Sequence, residues 1–328
     1  MGATGNNVTI LAYHRIDTPA NPDNLNLSPT LIDATPEAFE AQMKWLSEEY
    51  NVIPAWDLVG ALRDGQPLPP RAVMITFDDG YNCYKDTALP ILRRYGLPST
   101  LFVPTAYAED PHTPFWWDTL HKILAQTTIE TIEVPGVGVV PLRTRVERDA
   151  AYSELVQVVE HTRADRVPQL VGSLIEVCGV EPAAEKHIIG WQEIEELAQD
   201  GDVAFAPHTR HHPILAQSDT EYIQSEIQGS WEDLQKHVQN PVPILAYPNG
   251  QPYAVNRASR EAAQRAGLVA GVTMMGGANT ISKADPFLLH RNGATAGQSL
   301  SRFKLSIGPM GGALRRVKRL LRPVADFS

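Results

Sequence analysis

Short apolar runs that stop abruptly at polar residues recur along this chain. Residues 8–13 run into His14 and Arg15, residues 72–77 into Asp78, Asp79 and Gly80, residues 100–103 into Pro104 and Thr105, and residues 202–206 into Pro207 and His208. Residues 243–247 lead into Pro248, Asn249 and Gly250, residues 268–273 form another run, and residues 287–289 precede His290. The runs are continuous rather than alternating, which predicts strands buried on both faces of a parallel sheet. Helical patterns lie between them. Thr35 has the form of an N-cap with Pro36 at the first helical position, and Phe39, Met43 and Leu46 follow on one stripe. Ile223, Ile227, Trp231 and Leu234 make a second stripe, and residues 254–266 suit a third helix closed by Gly267. Alternating strands and helices predict an α/β fold, either a parallel barrel or a doubly wound sheet. In both, functional groups gather at the carboxyl ends of strands, where the polar residues fall.

Residues 110–190 break this rhythm. A helix around Trp116 and Trp117 precedes a hairpin over residues 129–142, with its turn at Gly136–Gly138, and a mainly helical stretch runs on to Cys178. The segment reads as an insertion within one catalytic domain spanning residues 1–328.

At 328 residues and 43% apolar content the chain has enough material for a core without disulfide or metal staples, and it is not of disordered composition. Its net charge of −10 argues against a general nucleic-acid partner. The balance is uneven. Residues 311–328 hold Arg315, Arg316, Lys318, Arg319 and Arg322 against Asp326, a local +4 that leaves −14 on the rest. Leu314, Val317, Leu320 and Leu321 are interleaved at helical spacing, so this C-terminal segment predicts a basic amphipathic helix. Such a helix can pack on the body, the first expectation, or make peripheral contact with an anionic membrane. Cys83 and Cys178 form no CxxC pair, and no apolar stretch approaches a membrane span. The first seven residues lack the pattern of a secretory signal, which reads as cytoplasmic. A chain trimmed of a leader would read the same and belong to the periplasm or cell exterior.

Two strand ends concentrate the chemistry. In Thr76-Phe77-Asp78-Asp79-Gly80 adjacent carboxylates repel each other, so a cation or another positive partner must hold at least one of them charged. The same residues would also make an Asp-Gly turn. His208 and His212 stand four apart, close enough for both imidazoles to meet one ion. Two His and a carboxylate with an open position form the ligand set of a catalytic metal site, whereas His211 between them would point elsewhere.

Together these segments resemble the polysaccharide deacetylase family, carbohydrate esterase family 4 with the NodB-homology fold. Its first two motifs, TFDDG and H-[ST]-x-x-H followed by Pro and an apolar pair, are complete at residues 76–80 and 208–215. The resemblance covers residues 8–110 and 190–294. It implies a distorted (β/α) barrel and a metal-dependent hydrolase that removes N-acetyl groups from the amino sugars of a glycan. By resemblance Asp79, His208 and His212 bind the metal, Asp78 is the general base, and Asn249 supplies an oxyanion-binding main-chain N–H. The donor set suits Zn first, with Ni, Co or Fe as alternatives.

The third motif departs from the usual pattern. Position 246 is Ala where the family often carries an Arg that steadies the base, so that role would pass elsewhere, with Arg291 as a candidate. Ala246-Tyr247-Pro248-Asn249-Gly250 resembles an AYPxG subgroup that includes exported poly-N-acetylglucosamine deacetylases. Two residues compete for general acid: His290, in the Leu-x-His form of the usual fifth motif, and His14, in the early Tyr-His of the subgroup. His14 is favoured. Tyr247, Trp116 and Trp117 could stack on sugar rings or lie in the core, and Asp118 reads as a helix-turn residue. The competing functions are an O-acetyl esterase or non-sugar amidase using the same site, and a non-catalytic glycan-binding module.

Overall fold

The computed structural model describes residues 6–18, 26–134 and 136–307. Seven strands organise it: β1 (Asn7–Tyr13), β2 (Ala72–Phe77), β3 (Ser99–Val103), β4 (Val203–Pro207), β5 (Ile244–Ala246), β6 (Ala270–Thr273) and β7 (Leu289–Gly293). Neighbours pair in parallel in the order β5-β6-β7-β1-β2-β3-β4. The strands therefore follow one another around a ring whose seam lies between β4 and β5. Across that seam the Val242 N–H donates to the Phe205 carbonyl at 2.7 Å. The result is a nearly closed, distorted (β/α) barrel and not a doubly wound sheet.

The strand pleat sorts side chains into two layers. Ile10, Met74, Phe102, Ala206, Ile244, Val272 and Leu289 share one cluster inside the ring. Leu11, Val73, Ile75, Leu101 and Phe205 face outward and pack with Phe39, Met43, Leu46 and Leu234 of the surrounding helices. The Thr35 side chain accepts from the Ala38 N–H at 3.2 Å, so the first helix (Pro36–Glu49) starts where its cap predicts. The second stripe lies on Thr220–His237, capped by Asp219, with Trp231 only partly buried. The third helix is shorter than expected, Arg257–Arg265, because Pro252–Ala254 forms a 3-10 turn and Asn256 caps the helix.

The last strand corrects the apolar-run reading. Residues 286–288 form a 3-10 turn, with Pro286 in its first turn and the Asp285 side chain accepting from the Phe287 N–H. Strand β7 starts only at Leu289 and carries His290, Arg291 and Asn292 within the sheet.

Residues 110–190 form the helix Trp116–Gln126, an antiparallel hairpin of Thr131–Val134 and Gly138–Pro141, and helices Arg145–Glu160 and Val167–Cys178. Leu120, Ile123, Ile132, Val140, Leu155 and Leu174 give this segment a cluster of its own. The basic segment 311–328 lies outside the described residues. Among the described residues no helix is long and apolar enough to cross a membrane.

Candidate active site

The end of β2 turns sharply, and the turn separates the two adjacent carboxylates. The Asp78 N–H continues the ladder to the Tyr13 carbonyl at 2.8 Å, after which Asp79 (φ 71°) and Gly80 (φ 72°) adopt left-handed backbone. Gly takes that conformation freely, whereas at Asp79 it costs about 1–3 kcal/mol and needs support from its surroundings. The turn reading and the chemical reading of this motif are thus compatible. Asp78 points to Arg291, whose Nη1 and Nη2 each donate to a carboxylate oxygen at 2.6 Å. Both side chains are almost fully buried, and Arg291 Nη1 also reaches Thr76 Oγ1 at 3.2 Å. Burial alone would raise the Asp78 pKa. The Arg291 guanidinium first, then His208 and His14, outweigh it and hold the carboxyl well below the usual range.

Asp79 points the other way, toward two imidazoles. Its Oδ1 is buried with no hydrogen-bond partner, 3.6 Å from His208 Nε2 and 3.4 Å from His212 Nε2. His208 Nδ1 lies 2.7 Å from the Ala246 carbonyl, which can only accept, so Nδ1 carries the proton and Nε2 offers a lone pair. His212 is pushed down to about 4 by burial and by His208, which keeps it neutral near pH 7. A ligand atom from each of the three residues lies within 4.8 Å of the others. Such separations suit donors around a small cation held at about 2.0–2.2 Å, and the orphaned Asp79 oxygen is a group that a cation would satisfy. Asp79, His208 and His212 therefore fit a divalent metal.

The loop between the imidazoles is also strained, with Thr209 at φ 65° and His212 at φ 53°. The Thr209 hydroxyl accepts from the His212 N–H at 3.1 Å. The His212 ring is wedged against Trp117, 4.8 Å between centroids.

His14 completes the cluster. Its Nε2 is 3.9 Å from Asp78 Oδ2, and Asp33 Oδ2 accepts from its main-chain N–H at 2.5 Å and lies 3.1 Å from its Nδ1. Burial by itself would lower the His14 pKa, but Asp33, with Asp79 and Asp78 behind it, raises it to about 9. Asn249 sits in the turn after β5 at φ 60°, its side chain donating to Glu160 at 2.9 Å and Tyr253 at 3.1 Å.

The family profile described as polysaccharide deacetylase matches residues 65–134 and 149–271, more than half of the chain.

The chain belongs to the polysaccharide deacetylase family.

The match continues well into the stretch read as an insertion and leaves only residues 135–148 of it unmatched. YxkH of Bacillus subtilis (strain 168), named a polysaccharide deacetylase, is 32% identical over 95 residues, 29% of this chain and 30% of that protein. A poly-beta-1,6-N-acetyl-D-glucosamine N-deacetylase of Escherichia coli (strain K12) is 26% identical over 107 residues, 32% of this chain and 15% of the relative. Both matches thus span under a third of the relatives' length. The deacetylase PplD of Streptococcus pyogenes, solved with acetate, superposes with a TM-score of 0.61 at 19% identity, covering 92% of this chain and 99% of that one. IcaB of Ammonifex degensii gives 0.55 at 15% identity over 94% and 97%. At these identities the superpositions establish the shared deacetylase barrel fold.

Within this polysaccharide deacetylase, not every sequence candidate lies at the cluster. His290 does not: neighbouring residues of β7 face opposite sides, so with Arg291 inside the barrel His290 points out, its Nδ1 3.0 Å from the Gly276 carbonyl. Tyr247 lines no cleft. It is 1% exposed, packed outside the ring with Leu245 and Leu268, over Gly271, where a Cβ would lie 2.5 Å from the Tyr247 ring. Trp117 is buried against His212 and Trp116 is half-buried beside it. Asp118 does lie in the first turn of the helix Trp116–Gln126, but it does more than end a turn. It is buried, accepts from the Ser28 N–H at 2.6 Å and from the Tyr81 hydroxyl at 2.7 Å, and burial pushes it up to about 7. Sequence reasoning missed Asp33 and Tyr81. Tyr81 follows the first motif directly, which was an available signal, whereas Asp33 has no local pattern.

Proposed function

We propose that this chain is a metal-dependent N-deacetylase that hydrolyses the acetamide of an N-acetylated sugar in a glycan. The observation that carries this reading is the division of labour between neighbouring carboxylates. Asp78 is ionised and locked by Arg291, while Asp79 is left unpartnered between His208 and His212. A binding module has no use for a buried cation site next to a separately held base.

Asp79, His208 and His212 would hold the divalent cation, Zn first among the ions that suit the set. When bound, it supplies Lewis acidity, polarising a carbonyl and making water more acidic. Asp78 accepts the proton of the attacking water on a carboxylate oxygen, and Arg291 keeps that oxygen aimed and unprotonated beforehand. The Asn249 main-chain N–H is the oxyanion donor. As the C–N bond breaks, His14 gives its proton to the departing nitrogen, so acetate and a primary amine form from one water. Asp33 orients that imidazole and keeps it protonated at neutral pH, as a general acid requires.

The preferred substrate class is a poly-N-acetylglucosamine, supported by the AYPxG form of residues 246–250 and by the name of the E. coli relative. Residues that meet at the site flank residues 110–190 in sequence, which supports one catalytic domain with that segment built onto it. The test is release of acetate and amine from chitin-type and β-1,6-linked oligomers, with Asp78→Asn as control. Equal acetate and amine are expected. Acetate without amine, from an O-acetylated donor only, would make the chain an esterase.

A further inference from the structure

Arg210 and His211 lie between the imidazoles yet take no part in the cation cluster. Both are held by one face of the helix Thr220–His237. Glu226 on that helix is 2% exposed, and its carboxylate faces these two residues, with the Tyr222 hydroxyl beside it. Its Oε2 accepts from the main-chain N–H of Arg210 at 3.0 Å and of His211 at 2.9 Å, and its Oε1 lies 2.7 Å from His211 Nδ1. Two turns further on, Asp233 accepts from Arg210 Nε at 2.8 Å and Nη2 at 3.0 Å. Between them stands Gly229, where a Cβ would lie 2.5 Å from the Arg210 guanidinium, so the helix is bare where that side chain crosses it. From the other side the Thr105 and Ala106 N–H groups donate to the Thr209 and Arg210 carbonyls at 3.1 and 3.0 Å. Residues 226, 229 and 233 share a helix face, so this is a docking stripe matched to one loop. The loop needs one, because Thr209 and His212 both hold positive φ, and a β-branched residue rarely does so unaided.

We propose that Glu226 is a positioning residue for the cation site: by gripping the Arg210 and His211 amides it fixes the strained loop that sets the spacing of His208 and His212. The inference rests on reading Asp79, His208 and His212 as cation ligands. Glu226 grips the loop through two main-chain N–H groups on one oxygen, so its reach matters more than its charge, which faces His211 Nδ1. Gln at this position keeps an acceptor at the same distance, whereas Asp keeps the charge but falls one methylene short.

The test uses the full chain with Glu226→Gln and Glu226→Asp, reading Zn dissociation constants by chelator competition and the visible absorption of the Co-substituted proteins. Glu226→Gln is expected to bind within about threefold of the parent, and Glu226→Asp to bind about 10–100-fold more weakly with an altered Co spectrum. Parent-like affinity and spectrum in Glu226→Asp would overturn the proposal, as would a Glu226→Gln that loses as much as Glu226→Asp. His211→Ala, which leaves both amide bonds in place, is expected to stay near the parent affinity, and a loss equal to that of Glu226→Asp would also overturn it. A parent that binds no Zn would instead remove the cation reading on which the proposal stands.

Discussion

Two buried carboxylates, Asp79 and Asp118, are linked through Trp117 and have opposite hydrogen-bonding fates. Trp117 packs its ring on His212, beside Asp79, and its Nε1 donates at 2.8 Å to the Tyr81 hydroxyl, which in turn donates to Asp118. Both oxygens of Asp118 are used, one by Ser28 and one by Tyr81. Asp79 Oδ1 is used by nothing, and its residue sits in left-handed backbone. A buried polar group without a partner costs free energy that something outside the chain must offset, whereas a satisfied one needs nothing further. The contrast separates a carboxylate with an open hydrogen-bonding position from one whose bonds tie the segment 110–190 to the barrel.

The largest expected effect breaks the chemistry and leaves the cation cluster alone. Asp78→Asn is expected to lower kcat by about 10²–10⁴-fold, measured as amine release, with metal content unchanged. Loss of metal along with activity would mean that Asp78 is a ligand and not a separate base. Next comes the unsatisfied centre itself: Asp79→Ala and His212→Ala are each expected to abolish stoichiometric metal by elemental analysis while the thermal midpoint of the metal-free protein changes little.

The satisfied centre is expected to respond in the opposite way. Asp118→Ala leaves the Ser28 N–H and the Tyr81 hydroxyl without acceptors, which costs about 1–3 kcal/mol each in chemical denaturation while metal is still bound. Burial raises Asp118 from an ordinary 3.8 to about 7. The native chain therefore keeps a proton there that the unfolded chain releases. The stabilisation is full below 3.8 and is lost as pH rises to about 7, and Asp118→Asn is expected to remove that slope. The smallest effect is expected at His290, on the far face of β7. His290→Ala should retain parent-like turnover, whereas His14→Ala should lose most of it with metal binding intact.

Much of this was legible in the sequence, for physical reasons. Buried parallel strands are continuous apolar runs, so β1 to β6 announced themselves. Strand β7 showed only at its first residue, Leu289, because its polar residues find partners inside the protein: Arg291 with Asp78, and Asn292 with the Gly277 carbonyl and N–H. The metal-ligand candidates were readable because each pair sits within a few residues at one strand end. Asp33 and Glu226 were not, since they reach the site from 19 and about 15 residues away through single side chains that leave no periodic trace. Asp118 was read only as a helix-turn residue, which it is, because nothing local in the sequence shows its burial against Tyr81.

The central claim is that a cation at Asp79, His208 and His212 works with an ionised Asp78 to hydrolyse a sugar acetamide. Its most direct test is acetate and amine release from a β-1,6-linked N-acetylglucosamine oligomer by the Zn-loaded protein, before and after chelation. Equimolar acetate and amine that cease on chelation and return with added Zn are expected. Undiminished release after complete metal removal, or no release from any N-acetylated oligomer by fully loaded protein, would contradict it.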